Sequence, residues 1–235
     1  MEMKPLLEGE GLYKLIPQRN PIVMVDTFFR ADEEGAETGL HVQSGNLFCN
    51  EGLLREPGMI EHVAQSAAAF AGYAPFTKGE SPKLGFIGEV KKFKIARLPK
   101  VGETITLKTW PMPTTRVAYP RAAEGFDEEG NSLFKVISLW VIMDVTSRAM
   151  VLPGKSGVDV EGFLRGDELS TPKSLPPKPL KEVTGRQVVF SDLDRNGHMN
   201  NARYLDWIDD LLPGAFRKEN PVREFSICYL SEALE

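Results

Sequence analysis

A short stretch near the C-terminus combines side chains that can take part in acid–base chemistry. FSDLDRNGHMNN, residues 190–201, contains Asp194, Asn196 and His198 at alternate positions. A histidine near its ordinary pKa can accept or donate a proton at neutral pH. A neighbouring carboxylate can hold its tautomer, and an asparagine amide can support an oxyanion. On an extended or turning segment, this spacing directs the three side chains towards one place.

A purely structural explanation of the same stretch stays open. Asparagine and aspartate are favoured in turns and at helix N-caps, where they accept hydrogen bonds from free backbone N–H groups. Asn200 or Asn201 can cap the apolar helix that follows, and Asn-Gly at 196–197 is a turn dipeptide. Spacing alone does not decide between a helix start and a catalytic site.

The elements that must position these residues follow from hydrophobic periodicity. Residues 56–73 carry apolar side chains at helical spacing, which predicts a helix with one buried face. Apolar and β-branched runs predict strands at residues 21–29, 84–96, 104–112, 116–126, 132–145, 185–191 and 222–230. A long helix followed by an antiparallel sheet indicates an α+β fold in which the sheet wraps around the helix.

The order strand, helix, strands occurs twice, on either side of a segment rich in proline, glycine and serine. We therefore predict a first domain over residues 1–153, a linker over 154–184 and the N-terminal part of a second domain over 185–235. The second sheet looks unfinished. Either the chain is truncated, or the missing strands come from elsewhere, such as a partner chain.

Composition excludes several functional classes. The 235 residues carry a net charge of −5, which disfavours general nucleic-acid binding. The sequence shows no secretory signal and no apolar run long enough to span a membrane. Its two distant cysteines form no metal or disulfide pattern. We therefore expect a reduced, cytoplasmic protein without a bound metal and without a nucleic-acid or membrane partner.

SDLDRNGHMNNARYLDW, which begins at residue 191, resembles the signature of the acyl-acyl-carrier-protein thioesterases, a tandem hotdog-fold family. ISLWVIMDVTSRAMVLP (137–153) resembles the end of that family's first hotdog domain, and CYLSEALE (228–235) resembles the strand after the second domain's helix. The resemblance covers roughly residues 109–235. It implies an α+β hotdog fold and hydrolysis of the thioester between a fatty acyl chain and carrier-protein phosphopantetheine. It implies no cofactor beyond the phosphopantetheine of the substrate.

The same resemblance implies roles for individual residues. The family's catalytic Asp, Asn and His match Asp194, Asn196 and His198. The acidic residue on the following strand matches Glu232, and many plant members carry a cysteine next, where this chain has Ala233. This difference favours water as the nucleophile. Glu232 and His198 would activate the water, Asn196 would position the thioester or its oxyanion, and the aspartate would orient the network.

Roughly the first 108 residues resemble a second hotdog family. LIPQRNPIVMVDTFF is similar to the opening of β-hydroxyacyl-carrier-protein dehydratases, and EPGMIEHVAQSAAAFAG resembles their central helix. This resemblance places Glu61, with Gln65 four residues later, at the dehydratases' acidic catalytic position. The loop that should supply a partner histidine, SGNLFCNEGLLREPG, contains none. A surface or helix-capping role for Glu61, and a half-exposed structural role for His62, stay open.

Carrier proteins are acidic, so docking on this acidic chain needs a local basic patch. EVKKFKIARLPK supplies Lys91, Lys92, Lys94 and Arg97, although a solvated sheet face explains the same pattern. Proteins of both families work as dimers or pseudo-dimers, so we expect a homodimer. Three hypotheses follow: an acyl-carrier-protein thioesterase first, a dehydratase-like lyase centred on Glu61 second, and a catalytically inactive module that binds acyl chains or carrier protein third.

Overall fold

A computed structural model describes residues 4–80, 85–144, 146–147, 149–171, 179, 181–182, 184–194 and 197–235. Over these residues the strands are β1 Leu7–Glu8, β2 Thr27–Asp32, β3 Gly35–His41, β4 Cys49–Asn50, β5 Leu53–Leu54, β6 Gly85–Ile95, β7 Thr104–Pro111, β8 Tyr119–Phe126, β9 Ser132–Met143, β10 Met150–Val151 and β11 Glu224–Cys228. The α-helices are α1 Glu56–Thr77, α2 Pro153–Ser156, α3 Arg203–Asp210 and α4 Gly214–Glu219.

One antiparallel sheet carries most of the strands. Its order is β1-β2-β3-β7-β8-β9-β6-β11, with β10 beside β9, whereas β4 and β5 form a separate hairpin. The apolar strand β9 lies between β8 and β6, inside the sheet and not at its edge. The sheet is therefore continuous from the N-terminal strands to a strand near the C-terminus.

The predicted helix at residues 56–73 is confirmed, and it continues to Thr77. Small residues on its buried face allow close packing: a Cβ atom added at Gly72 would lie 2.7 Å from the carbonyl oxygen of Leu15. Apolar side chains from the helix and the sheet, among them Met59 and Phe93, form the main core. No helix in the part of the chain that the structure describes is long and apolar enough to cross a membrane.

The strand predicted at residues 21–29 begins only at Thr27. Upstream of it, the side chain of Gln65 replaces a neighbouring strand: its Oε1 accepts a hydrogen bond from Met24 N–H at 2.7 Å, and its Nε2 donates to the Ile22 carbonyl at 2.7 Å. Because a helix side chain satisfies these backbone groups, the apolar run packs on α1 without forming a strand.

The strand predicted at residues 185–191 is wrong. Phe190–Asp192 form a single 3₁₀ turn, and the N–H of Val189 donates to the Asp192 carboxylate at 3.2 Å. The Phe190 side chain is 83% exposed. A β-branched, aromatic run forms a strand only where a neighbour pairs with it, and here a side chain takes up the backbone donor instead.

The C-terminal part of the chain packs on the edge of the sheet. Strand β11 pairs antiparallel with β6, and Phe225 stacks on Phe93 with 4.9 Å between ring centroids. The predicted C-terminal helix forms as α3, although Leu211 and Leu212 lie beyond its end and are exposed. The division into two domains and a linker stays a prediction, and residues 172–178 of that linker lie outside the described residues.

Candidate active site

Backbone hydrogen bonds join Asp194 to Gly197 and His198 in the polar segment near the C-terminus. Asp194 N–H donates to the carbonyl of His198 at 2.8 Å, and Gly197 N–H donates to the carbonyl of Asp194 at 3.1 Å. Gly197 has a φ of +79°, a backbone conformation that favours glycine over residues with a Cβ atom. These hydrogen bonds hold Asp194 next to His198.

The side chain of His198 lies beside that of Glu232. The distance from His198 Nε2 to Glu232 Oε1 is 3.4 Å, and the two side chains are 8% and 39% exposed. Met199 N–H donates to the carbonyl of Ala233 at 2.9 Å, so a backbone hydrogen bond holds the C-terminal segment against the loop. The pair combines a buried imidazole with a carboxylate that water can reach.

Asp194 supports the same turn, because its Oδ1 accepts a hydrogen bond from the backbone N–H of His198 at 3.4 Å. Asn196 lies outside the described residues, so its role stays a prediction. Over the described ranges, no group of three or more His, Cys, Asp or Glu side chains is arranged to hold a metal ion. The chemistry that the described groups can perform is proton transfer between an imidazole and carboxyl groups.

The two asparagines after His198 anchor the loop. Asn200 Oδ1 accepts a hydrogen bond from Ala202 N–H at 2.7 Å at the start of α3. Asn201 donates to the Ile87 carbonyl on β6 at 3.1 Å, and its own carbonyl accepts from the Tyr229 hydroxyl at 3.0 Å. Ala202 is the N-cap residue of α3, so the helix-capping explanation is wrong for both asparagines. Their hydrogen bonds instead hold the loop on the fold.

The acidic residue of the dehydratase-like part contacts this loop. Glu61, on α1, is 6% exposed, so it is not a surface residue. Gln65 Nε2 donates to Glu61 Oε1 at 2.8 Å, and Asn200 Nδ2 donates to Glu61 Oε2 at 3.4 Å. Sequence reasoning treated the two groups of residues as alternatives and missed Asn200 as the link. One signal could have indicated this contact: the loop and the helix each resemble part of a hotdog protein, so both could be placed in a single fold.

Burial raises the pKa of Glu61 above its ordinary value, and the nearby negative charge of Asp194 adds to this effect. The hydrogen bonds from Gln65 and Asn200 act in the opposite direction, because they stabilise the carboxylate. Since burial is the largest effect, the pKa of Glu61 stays raised. The side chain therefore takes up a proton more readily than an exposed glutamate does.

His62, next to Glu61 in sequence, has a structural role but is fully buried, not half-exposed as predicted. Burial lowers its pKa to about 4, although its hydrogen bond to Met24 and the charge of Asp26 oppose the change. The ring is neutral at pH 7, and Nδ1 donates to the carbonyl oxygen of Met24 at 2.6 Å. His62 thus anchors the segment before β2 to the helix.

The four residues predicted to dock a carrier protein lie on β6 or just after it. The ion pairs are Lys91 with Glu89 at 3.1 Å, Lys92 with Glu224 at 3.1 Å, and Arg97 with Glu103 at 2.7 Å and Asp127 at 2.9 Å. Lys94 is exposed. Neighbouring carboxylates compensate much of the positive charge, and docking at this face stays a prediction.

Comparison with known proteins supports both resemblances. Residues 11–107 match the model of the ApeP-like family, described as ApeP dehydratase, and residues 178–234 match the C-terminal domain of acyl-ACP thioesterases. The palmitoyl-acyl carrier protein thioesterase of Gossypium hirsutum is 25% identical over 147 residues, which cover 59% of this chain and 36% of the relative. The dodecanoyl-[acyl-carrier-protein] hydrolase of Cinnamomum camphora is 25% identical over 167 residues, covering 65% and 43%. The chain thus spans less than half the length of these curated relatives.

Solved structures identify the fold. An acyl-ACP thioesterase from Bacteroides thetaiotaomicron has a TM-score of 0.63 at 20% identity, over 84% of this chain and 82% of its own. The 12:0-ACP thioesterase of Umbellularia californica has a TM-score of 0.59 at 17% identity over the same shares. The dehydratase heterocomplex ApeI:P of Xenorhabdus doucetiae has a TM-score of 0.51 at 16% identity, over 58% and 93%. The chain has an α+β hotdog fold, in which residues 11–107 are similar to the ApeP-like family and residues 178–234 are similar to the C-terminal domain of acyl-ACP thioesterases.

Proposed function

We propose that this chain hydrolyses fatty acyl-acyl-carrier-protein thioesters and releases free fatty acid. The observation that carries the proposal is the contact of 3.4 Å between His198 Nε2 and Glu232 Oε1. Both residues lie within the segment that matches the thioesterase C-terminal domain. The curated relatives named above are thioesterases of acyl carrier protein, which supports the same substrate class.

The proposed reaction uses water as the nucleophile. Glu232 and His198 take a proton from the water as its oxygen attacks the thioester carbonyl carbon. Asn196 positions the thioester or stabilises its oxyanion, and Asp194 orients the network. When the carbon–sulfur bond breaks, the phosphopantetheine thiolate takes up the proton, so the products are a fatty acid and a free thiol. The scheme requires no resident cofactor, because the substrate carries the phosphopantetheine.

The proposed partners are acyl carrier protein, at the face around Lys94, and a second copy of this chain. Among the described residues, β11 is the last strand of the sheet, so its outer edge can pair with another strand. Several apolar side chains of the C-terminal part are exposed: Phe190, Ile208, Leu211, Phe216, Leu230 and Leu234. A homodimer that pairs these regions would extend the sheet beyond β11. A location in the cytoplasm stays a prediction from the sequence.

A specific observation favours a second candidate function, a dehydratase-like lyase centred on Glu61. Its side chain is buried, Gln65 holds it at 2.8 Å, and both residues lie in the part that matches the ApeP-like family. A carboxyl group with a raised pKa can deliver a proton to a leaving hydroxyl group. A third candidate is an inactive module that binds acyl chains or carrier protein.

One assay separates the three candidates. The purified chain is incubated with acyl- and 3-hydroxyacyl-carrier-proteins, and free thiol and enoyl product are followed together, with His198→Ala and Glu61→Ala in parallel. Free thiol that disappears in His198→Ala is the expected result. Enoyl product that disappears in Glu61→Ala instead would overturn the proposal in favour of the lyase. Neither product from folded wild-type protein would indicate the inactive module.

A further inference from the structure

We propose that Glu61 is a positioning residue for the hydrolytic loop, which it holds in place through Asn200. The inference rests on the proposed function and extends its site to the helix of the other segment. Its basis is a continuous series of hydrogen bonds from the backbone before β2, through Gln65 and Glu61, to the loop that carries His198. In this proposal, no residue of α1 contacts the substrate.

The helix end of this series is rigid. Both polar atoms of the Gln65 side chain form hydrogen bonds with the backbone. Oε1 accepts from Met24 N–H and Nε2 donates to the Ile22 carbonyl, each at 2.7 Å. The same Nε2 donates to Glu61 Oε1 at 2.8 Å. Because the orientation of the amide is determined by these backbone contacts, Gln65 presents an N–H to Glu61 and fixes one carboxyl oxygen.

At the loop end of this series, hydrogen bonds also determine the orientation of the Asn200 amide. Asn200 Oδ1 is occupied by Ala202 N–H at 2.7 Å, so Nδ2 is the end of the amide that faces Glu61. Glu61 therefore accepts hydrogen bonds on both oxygens, one from each amide. A glutamine at this position has a single oxygen, so it would bring its own NH₂ group against one of the two amide donors.

A displacement of Asn200 would also move His198 relative to Glu232, its partner in the proposed catalytic pair. Asn200 N–H donates to the carbonyl of Asp192 at 2.9 Å, and the residue lies two positions after His198. The contact from His198 to Glu232 is 3.4 Å long, so a small shift of the loop changes proton transfer between them. The expected signature is a loss of kcat with KM nearly unchanged, because the acyl chain and carrier protein do not contact Glu61 in this proposal.

A polarity exchange tests the contact directly. Glu61→Gln and Asn200→Asp are prepared singly and together, and kcat, KM and the His198 ring resonances by NMR are measured for each. The carboxylate introduced at position 200 can still accept from Ala202 N–H, so the hydrogen bond before α3 is kept. In the double variant, the amide at position 61 accepts from Gln65 with its oxygen and donates to the new carboxylate with its nitrogen.

Each single variant should lower kcat about tenfold and shift the His198 resonances, and the double variant should recover most of both. Glu124→Gln is the matched control, since it changes a buried carboxylate that pairs with Lys135 at 3.2 Å on a different part of the sheet. Additive losses in the double variant, or equal losses in the control, would overturn the inference. If the wild-type chain hydrolyses nothing, the proposed function fails, whereas the NMR comparison still decides whether Glu61 positions His198.

Discussion

Asn200 Nδ2 lies 3.4 Å from Glu61 Oε2, although 139 positions separate the two residues in sequence. The contact joins the helix of the ApeP-like segment to the loop of the thioesterase-like segment. Each of the two side chains also accepts a second hydrogen bond: Glu61 Oε1 from Gln65 Nε2, and Asn200 Oδ1 from Ala202 N–H. The two segments therefore share one cluster of polar side chains at the place where they meet.

The carboxylate of Glu232 should be required for hydrolysis. In Glu232→Gln, the amide keeps the size of the side chain but cannot accept a proton from water, so we expect kcat to fall by about 10²–10⁴-fold. Steady-state hydrolysis of an acyl-carrier-protein substrate measures the effect. Glu235→Gln, an exposed position three residues later, is the control and should retain wild-type activity. Equal activity of Glu232→Gln and wild type would remove Glu232 from the mechanism.

The backbone of the loop that carries His198 should tolerate only glycine at position 197 without loss. Among the described residues, an alanine Cβ there meets nothing within 4 Å, so we expect Gly197→Ala to cost only the strain of the φ of +79°, about 1 kcal/mol of unfolding free energy. Gly130→Ala has the same open surroundings at a φ of +84°, in the turn between β8 and β9. Denaturant unfolding should show similar losses for both variants. Only Gly197→Ala should also lower kcat, and a parallel loss in Gly130→Ala would contradict the assignment.

The parts of the fold that the sequence predicted are those in which local pattern and tertiary packing agree. The periodicity of α1 predicts a helix because its buried face repeats with the helical period. Strands β6 to β9 are predicted within a few residues, since each long apolar run is bounded by turn residues. The strand expected at residues 185–191 is absent because strand formation depends on a partner, which a local pattern does not report.

The catalytic roles of Asp194, His198 and Glu232 stay predictions. That these residues are candidates could be read from the sequence alone, because they match a recognisable motif. The contact between Glu61 and Asn200 could not, because it depends on how two distant segments pack. The burial of His62 was also missed, since a single histidine on a helix gives no signal of its depth.

The exposed lysine of β6 should contribute to carrier-protein docking. Lys94 is exposed, whereas Lys92 is paired with Glu224 at 3.1 Å, so Lys94→Glu reverses a charge that faces solvent. We expect slower association with the acidic carrier protein at low salt, an effect that weakens as ionic strength rises. Surface plasmon resonance at two salt concentrations measures it. Lys155→Glu, at an exposed position outside β6, is the control, and equal effects of both changes would reject the patch.

The buried imidazole of His62 should make stability depend on pH. Its pKa is about 4 in the folded chain, whereas the ordinary value, which applies to the unfolded chain, is 6.5. Between pH 4 and 6.5 the unfolded chain therefore binds a proton that the folded chain does not. The stabilisation is fully present above pH 6.5 and is lost as the pH falls towards 4, by about 3 kcal/mol in total. His62→Gln should flatten the curve of unfolding free energy against pH in this window. The exposed His41→Gln should leave the slope as in wild type, and an unchanged slope in His62→Gln would show that another group causes it.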